Sequence, residues 1–454
     1  MSHNARNRQV RLGAFLPANG HHVASWRHPN TPSNAGHDFQ HYKRLAQAAE
    51  AAKFDALFLA DSAATWSDVR KPDTRGLNGN DTHFEPITLL SALAAVTDHI
   101  GLVATVTTTY NEPYHLARNF ASLDHLSGGR AGWNLVTSAN AAEAANFGKD
   151  EHLEHSRRYE KAEEFIDVVT GLWDSWDDDA FFRDKESGRY FDPEKLHILE
   201  HRGTHFKVRG PLNVARPPQG HPVKVQAGSS EPGKELAART AEVVFTAHQT
   251  LELAQAFYSD LKARLSKYGR VPGELKVFPG LFPVVGRTQS EAEDKFAKIQ
   301  DLTLPVVGLS LLSGMIGGFD LSGYDLDGPL PQLPESNGGK SRQALLYELA
   351  RRENLTIRQL YLRTAGARGH KQIVGDVKTI ADHIEEWFTQ GAADGFNIMP
   401  PTLPDGLTDF IELVIPELRK RGLFRTEYEG KTLRENLGLS RPENQFAKRE
   451  AVAA

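Results

Sequence analysis

Residues 123–148, LDHLSGGRAGWNLVTSANAAEAANFG, contain one complete strand of the predicted fold and the segments on either side of it. A helical pattern ends at Gly128 and Gly129, the apolar run Ala131 to Val136 follows as a strand, and Ser138 and Asn140 come directly afterwards. Small polar residues after a strand allow a ligand to approach the backbone closely. This order predicts a βα repeat whose binding groups lie at the carboxyl end of the strand.

The same order recurs along the chain. Short aliphatic runs alternate with amphipathic stretches whose apolar residues have helical spacing, which is typical of a parallel sheet covered on both faces. Eight strands with helical crossovers favour a (β/α)8 TIM barrel, an α/β fold, over a doubly wound sheet. The predicted strands are Val10 to Leu16, Ala56 to Ala60, Gly101 to Thr107, Ala131 to Val136, Val223 to Ala227, Val243 to Thr246, Lys276 to Val285 and Gly395 to Met399.

Two stretches are too long for plain connections, about 174–222 and about 303–356. We expect both to be insertions of a single domain, residues 1–454, and to cover one face of the barrel. The second contains Gly314, Gly317 and Gly318 and is expected to act as a lid. The tail from about residue 424 is polar and irregular, which indicates an arm on the surface or on a neighbouring subunit.

Composition excludes several classes of protein. The 454 residues include no cysteine, so disulfides, thiolate metal sites and a cysteine nucleophile are all ruled out. With 53 basic and 58 acidic residues the net charge is −5, and there is no sustained basic stripe for nucleic acid. No apolar run approaches the roughly 20 residues that cross a bilayer. The first ten residues lack an apolar signal core, which favours a cytoplasmic protein.

Polar side chains follow two more of the predicted strands. Asp61 closes the run FDALFLAD at the carboxyl end of the second strand, where binding groups of a barrel collect. A loop carboxylate that caps the next turn is an equally good interpretation. Thr107 follows the third strand, and its hydroxyl is expected in the barrel mouth, although β-propensity alone also explains a run of threonines.

Two helix starts are suited to a phosphate group. His155 and Tyr159 lie four residues apart at the start of HSRRYEKAEEF, and Ser230 precedes a helix in VKVQAGSSEPGKELAART. Free N–H groups and the helix dipole favour an anion at both places. The chain has neither GxGxxG nor GxxxxGK[ST], which disfavours a Rossmann dinucleotide site and a P-loop. We expect no metal, since no HExxH pattern accompanies the nearby His152.

Taken together, several strings resemble the bacterial luciferase-like flavin monooxygenases, in the branch of the nitrilotriacetate, EDTA, dibenzothiophene-sulfone and long-chain alkane monooxygenases. The strings occur in order over nearly the whole chain and are WRHP, FDALFLAD, YNEPYHLARNFASLDHLSGGRAGWNLVTS, NFG, HSRRYEKAEEF, QAGSS and AADGFNIMPPTLP. The resemblance implies a barrel with insertions that binds FMN, which arrives as FMNH2 from a separate NAD(P)H:flavin reductase. It further implies that O2 reacts with the reduced flavin and that one oxygen atom enters a small organic substrate.

The resemblance also implies which residues bind the cofactor. By motif match these are Asp61, Thr107, Ser138, His155, Tyr159 and Ser230, the last four around the ribityl chain and phosphate. His21 matches a pocket histidine near the reacting groups and is the candidate catalytic residue, although it is also readily explained as an ordinary buried polar residue. Several relatives carry a lid histidine where this chain has Met315, so a mechanism that uses that histidine is in doubt.

The substrate stays open at this point. A small sulfur- or nitrogen-containing compound with C–S or C–N cleavage is the preferred interpretation. The alternatives are an alkane-type hydroxylase, a deazaflavin-dependent oxidoreductase, a non-catalytic flavoprotein and, from another class, a metal-dependent barrel hydrolase. A homodimer or homotetramer is expected, without nucleic acid or membrane partners.

Overall fold

Eight parallel strands close into a barrel in the computed structural model of the chain. The strands are numbered β1 to β11 in chain order, with the bounds given at the end of this paragraph. The ring runs β1, β2, β3, β4, β7, β8, β9 and β11, and β11 pairs with β1 to close it. All eight predicted strands are therefore confirmed. The residues that the structure describes are 8–65, 76–79, 81–138, 140–334 and 340–446. The strands are β1 Arg11–Phe15, β2 Ala56–Leu59, β3 Gly101–Thr107, β4 Ala131–Val136, β5 His201–Arg202, β6 Lys207–Val208, β7 Val223–Ala227, β8 Val243–Thr246, β9 Lys276–Gly286, β10 Lys371–Asp376 and β11 Gly395–Ile398.

Helices connect the strands and cover the outside of the barrel. Several begin at a polar cap. For example, Asp38 accepts hydrogen bonds from two N–H groups of the helix that begins at Phe39, and Thr250 caps the helix that begins at Leu251. They are α1 Phe39–Ala51, α2 Pro86–Ala94, α3 Pro113–Ser127, α4 Ala142–Asn146, α5 His155–Trp173, α6 Glu231–Thr240, α7 Leu251–Arg264, α8 Gln289–Asp301, α9 Pro305–Met315, α10 Lys340–Arg352, α11 Ile357–Ala367, α12 Val377–Thr389, α13 Asp405–Asp409, α14 Ile415–Lys420 and α15 Leu433–Asn436. One π-helical turn, Phe410–Val414, joins α13 to α14.

One strand of the main sheet lies outside the ring. β10 pairs in parallel with the second half of β9, from Leu281 to Gly286, beyond the part of β9 that pairs with β8. The sequence did not predict this strand, because Lys371, Gln372 and Asp376 interrupt its apolar pattern. A strand at an open edge needs no second buried face, so it tolerates those polar residues.

The two long stretches differ in their internal structure. The first contains the short antiparallel hairpin of β5 and β6. In the second, α9 and α10 pack with α11 around their own apolar cluster, which includes Leu312, Ile316, Leu346, Leu349 and Leu360. This cluster is separate from the barrel core. We call α9 and α10 of the second stretch, together with α11, which directly follows it, the helical lid.

The C-terminal segment closes the amino-terminal end of the barrel. Leu433 and Leu437 of α15, together with Leu439, pack against strand residues such as Val103 and Val223. This part of the tail packs on its own barrel with buried leucines, a closer contact than the polar sequence of the arm indicated. Its leucines are spaced so that a short helix buries them on one face, a pattern that the surrounding polar residues obscured.

Three acidic residues join neighbouring strands at this same end. Asp55, Glu242 and Asp394 each directly precede a strand, and each accepts a hydrogen bond from a backbone N–H of the strand that comes before its own in the ring. The distances are 2.7 Å from Leu12 N to Asp55, 2.9 Å from Lys224 N to Glu242 and 3.0 Å from Val277 N to Asp394. We call Asp55, Glu242 and Asp394 the basal carboxylates. They fix the register of three strand pairs.

Two of the basal carboxylates also bind the C-terminal segment. Arg425 Nη2 lies 2.7 Å from Asp55 Oδ1, and Arg434 Nη1 lies 2.5 Å from Glu242 Oε1, with all four side chains largely buried. Burial alone would raise the pKa of Glu242, but the positive charges of Arg434 and Lys224 hold it at about 2. The ion pairs thus attach the closing segment to the strands that it covers.

We predict that Arg434→Met lowers the free energy of unfolding by about 3 kcal/mol, because it leaves a buried carboxylate without its main partner. Urea denaturation followed by circular dichroism measures the change. Lys378→Met is the matched control: it removes an exposed pair with Asp382 and should change stability by less than about 0.5 kcal/mol. Equal effects of the two changes would contradict the structural role of the basal pair.

The same pair predicts an acid dependence. The pKa of Glu242 is lower in the folded protein than its usual value of 4.5, so its stabilising effect is complete above pH 4.5 and is lost as the pH falls towards 2. The loss over that window is roughly 3 kcal/mol. Glu242→Gln should show a shallower decline than the parent, and identical acid profiles would contradict the assignment.

Candidate active site

Three phenylalanine rings meet inside the barrel near its carboxyl end. Phe15, Phe58 and Phe245 come from β1, β2 and β8, and their ring centroids lie 4.9, 5.5 and 5.6 Å apart. The His370 ring stacks on Phe245 at 4.8 Å and 13°, and the His21 ring meets Phe15 edge-on at 4.3 Å. We call these five side chains the aromatic floor. It forms the base of the barrel mouth.

His21 is a buried and neutral histidine. Burial and the charge of Arg368 lower the pKa of His21 to about 3. Its Nε2 lies 3.0 Å from the carbonyl oxygen of Phe15, and since a carbonyl only accepts, the ring proton is on Nε2. Nδ1 is then an acceptor, and it has no hydrogen-bond partner among the described residues. His21 is thus a buried, neutral side chain with one unused acceptor, Nδ1.

Thr107 and Ser138 form one hydrogen-bonded chain with a residue that the sequence did not suggest. The two hydroxyl oxygens lie 2.7 Å apart, and Ser138 Oγ donates to Glu143 Oε2 at 2.7 Å. Ser62 Oγ donates to the other carboxylate oxygen at 2.8 Å, and burial raises the pKa of Glu143. Ser138 has a left-handed backbone, φ 49°, which turns its side chain towards Thr107. Glu143 gave no signal in sequence because it lies within the alanine-rich AAEAAN.

Asp61 lies at the carboxyl end of β2, as expected. Its Oδ1 is 3.1 Å from His83 Nε2, and both side chains are about a quarter exposed. The structure therefore gives Asp61 a histidine partner at this end of the barrel.

His155, Tyr159 and Ser230 converge from two helix starts. The rings of His155 and Tyr159 are 4.9 Å apart at the start of α5. A Cβ on Gly233 would lie 3.0 Å from both Tyr159 Oη and Ser230 Oγ, and a Cβ on Gly228 would meet only Tyr159 Oη, at 3.5 Å. Glycine at both positions thus keeps space open beside the two hydroxyls. We call these five residues the phosphate cradle.

The start of α6 supplies the electrostatics of the cradle. Ser230 caps this helix and accepts a hydrogen bond from Gly233 N at 3.2 Å. The remaining N–H groups of the first turn and the helix dipole favour an anion there. The fourth residue of the predicted group, Ser138, has its side chain hydrogen-bonded to Thr107 and Glu143.

Two further residues lie near Tyr159 and Ser138. Arg158 lies buried at the start of α5 and donates to the carbonyl oxygen of Leu153 at 2.7 Å. His152 contacts the carbonyl oxygen of Ser138 at 3.2 Å and the hydroxyl of Tyr110 at 2.7 Å. Arg158, the second arginine of HSRRYEK, was given no role from the sequence.

The position of the missing lid histidine is apolar. Met315 ends α9 and packs against the leucine-rich cluster of the helical lid. Across residues 8–65, 76–79, 81–138, 140–334 and 340–446, no three His, Asp or Glu side chains converge as metal ligands. Over the same residues, no helix is long and apolar enough to cross a membrane.

Known proteins resemble this chain over almost its whole length. A family model for luciferase-like monooxygenases matches residues 19–394. Nitrilotriacetate monooxygenase component A from Aminobacter aminovorans is 56% identical, over 97% of this chain and 99% of its own. N-acetyl-S-(2-succino)cysteine monooxygenase from Bacillus subtilis (strain 168) is 54% identical, over 98% and 100%. The crystal structure of a long-chain alkane monooxygenase has a TM-score of 0.86 at 36% identity, over 97% and 99%.

A more distant structure shares only the fold. An F420-dependent secondary alcohol dehydrogenase has a TM-score of 0.57 at 14% identity. The match over residues 19–394, the two relatives described above and the closed barrel all agree. The chain therefore belongs to the luciferase-like monooxygenase family and is a flavin-dependent monooxygenase.

Proposed function

We propose that the enzyme is the oxygenase component of a two-component system. It takes reduced FMN from a separate NAD(P)H:flavin reductase and inserts one oxygen atom of O2 into a small nitrogen- or sulfur-containing compound, whose C–N or C–S bond then cleaves. The observation that carries the proposal is the phosphate cradle beside an aromatic floor in a barrel of this family. The names of the nitrilotriacetate and N-acetyl-S-(2-succino)cysteine monooxygenases, at 56% and 54% identity, support a nitrogen- or sulfur-containing substrate over an alkane.

The residues present fit FMN. The cradle of His155, Tyr159 and Ser230 would hold its phosphate, because it combines hydroxyl donors, a helix start and glycines that leave room for the dianion. Thr107, Ser138 and Asp61 follow neighbouring strands and would contact the rest of the cofactor. Reduced FMN supplies the electrons that activate O2.

The protein's own contribution is positioning and the exclusion of water. Phe15, Phe58 and Phe245 give the mouth a base without hydrogen-bonding groups, so water gains little there. His21 keeps its proton on Nε2, held by the Phe15 carbonyl, and presents Nδ1 as an acceptor that orients a bound N–H or O–H group. The low pKa of His21 means that this arrangement does not change between pH 5 and 8.

We predict that the purified protein, supplied with FMN, NADH and a flavin reductase, consumes O2 in proportion to product from a nitrogen- or sulfur-containing substrate. Oxygen uptake and mass spectrometry of products from ¹⁸O2 measure this over a panel of amines, thioethers, sulfones and alkanes. Omission of the reductase is the control. Products without ¹⁸O, or turnover only with alkanes, would overturn the proposed reaction.

We predict that Tyr159→Phe and Ser230→Ala each weaken FMN binding about 10- to 150-fold, since each removes a hydrogen bond to a charged phosphate. Fluorescence titration with FMN measures the affinity, and titration with riboflavin, which lacks the phosphate, should show no such difference. Tyr190→Phe, at an exposed tyrosine, is the matched control. Unchanged FMN affinity in both cradle variants would remove the assignment.

The turn after α9 provides a test of the helical lid. Gly317 and Gly318 have φ of 87° and 84°, so alanine at both positions strains the turn, whereas Gly314 is helical and open. We predict that the double alanine variant retains FMN binding but releases a larger share of the consumed O2 as hydrogen peroxide, and that Gly314→Ala does not. Equal coupling of O2 uptake to product in both variants would show that the lid is only structural.

A further inference from the structure

The helical lid brings a positive charge onto the aromatic floor. Arg342 of α10 donates from Nη1 to the carbonyl oxygen of Arg368 at 2.5 Å, and its Nη2 lies 3.4 Å from His370 Nε2. His370 in turn stacks on Phe245. The guanidinium of Arg342 therefore lies at the inner side of the lid, one imidazole away from the base of the mouth.

A second guanidinium lies nearby. Arg368 follows α11 in a left-handed conformation, φ 49°, and its charge acts on Arg342, His21 and His22. Burial and the charge of Arg368 lower the pKa of Arg342 to about 10, and burial lowers that of Arg368 to about 10. Both side chains thus carry a full charge at neutral pH.

The three histidines around these two arginines are uncharged, so they neither increase nor offset the positive charge. His21, His248 and His370 are all neutral, because burial lowers each pKa and their positive neighbours lower it further for His21 and His370. Only glycine at position 280 makes room for the ring of His370, since a Cβ there would lie 2.3 Å from its Nδ1. The imidazole is therefore built into the site.

Other arginines in the interior of this chain have carboxylate partners or several hydrogen bonds. Arg425 and Arg434 pair with Asp55 and Glu242, and Arg130 donates five hydrogen bonds to carbonyl and hydroxyl oxygens. Arg342 differs. Its described partners are one carbonyl and one imidazole at the limit of hydrogen bonding, and no carboxylate of the described residues forms an ion pair with it.

We propose that Arg342, with Arg368 and His370, forms a subsite that binds a carboxylate of the substrate against the aromatic floor. The inference rests on the proposed function and narrows its substrate to a carboxylic acid. A planar guanidinium fork matches a carboxylate in charge and shape, and the floor accommodates the uncharged part of the same molecule. Because Arg342 belongs to the helical lid, a bound acid joins the lid to the barrel.

The test is anion binding, which does not depend on turnover. Isothermal titration calorimetry with nitrilotriacetate and succinate is carried out on the full-length protein, with and without reduced FMN under anaerobic conditions. Succinamide, the neutral counterpart of succinate, is the ligand control. We expect the two acids to bind, succinamide to bind at least 10-fold more weakly, and rising salt to weaken only the acids.

Two variants of Arg342 distinguish the effect of its positive charge from the effect of its planar, forked shape. Arg342→Met should weaken acid binding about 10- to 150-fold, and Arg342→Lys should weaken it less, because lysine keeps the charge and loses the fork. Arg358→Met, which removes an exposed arginine of α11 paired with Asp327, is the matched control and should bind as the parent does. Thermal melting shows whether each variant is folded.

Three results would overturn the subsite. They are the absence of acid binding by the parent in both flavin states, equal affinity for succinate and succinamide, and unchanged acid affinity in a folded Arg342→Met. Loss of FMN affinity in Arg342→Met with acid affinity retained would assign the guanidinium to the flavin instead. Failure of the proposed function is seen separately, as a lack of reductase-dependent ¹⁸O incorporation in the parent.

Discussion

The closure of the barrel depends on buried carboxylates at its amino-terminal end. Asp55, Glu242 and Asp394 each join the start of one strand to its neighbour, and arginines of the C-terminal segment pair with the first two. A buried charge without a partner costs several kcal/mol, so these contacts permit one register and one placement of the segment. The register set here also determines where each strand ends at the opposite, carboxyl-terminal face of the barrel.

The two ends of the barrel use charge in opposite ways. At the closed end, positive and negative groups pair within hydrogen-bonding distance and serve stability. At the open end, Arg342 and Arg368 lie above neutral histidines and phenylalanines, and Arg342 forms no ion pair with any described carboxylate. Because a positive charge without a paired carboxylate attracts an ion of opposite sign, we propose that this end binds acidic ligands.

Much of the fold was available from the sequence. In a chain that alternates aliphatic runs with amphipathic helical stretches, a run such as Gly101 to Thr107 predicts a strand. All eight barrel strands were confirmed. The polar strand β10 and the plug formed by Leu433 were missed, because an edge strand and a short terminal helix carry too few apolar residues to give a periodic signal. The polar side chains at strand ends were also placed correctly at the barrel mouth, since parallel strands bring their carboxyl ends to one face.

The sequence by itself thus determined the order of strands, the family and the local helix starts around His155 and Ser230, because each of these is encoded within a few consecutive residues. Only the tertiary structure decided which side chains share a site. Ser138 joins Thr107 and Glu143 through hydrogen bonds, and Arg342 reaches His370 from a helix 28 residues away. Such contacts depend on how separate elements pack, and side-chain direction after packing leaves no trace in local sequence.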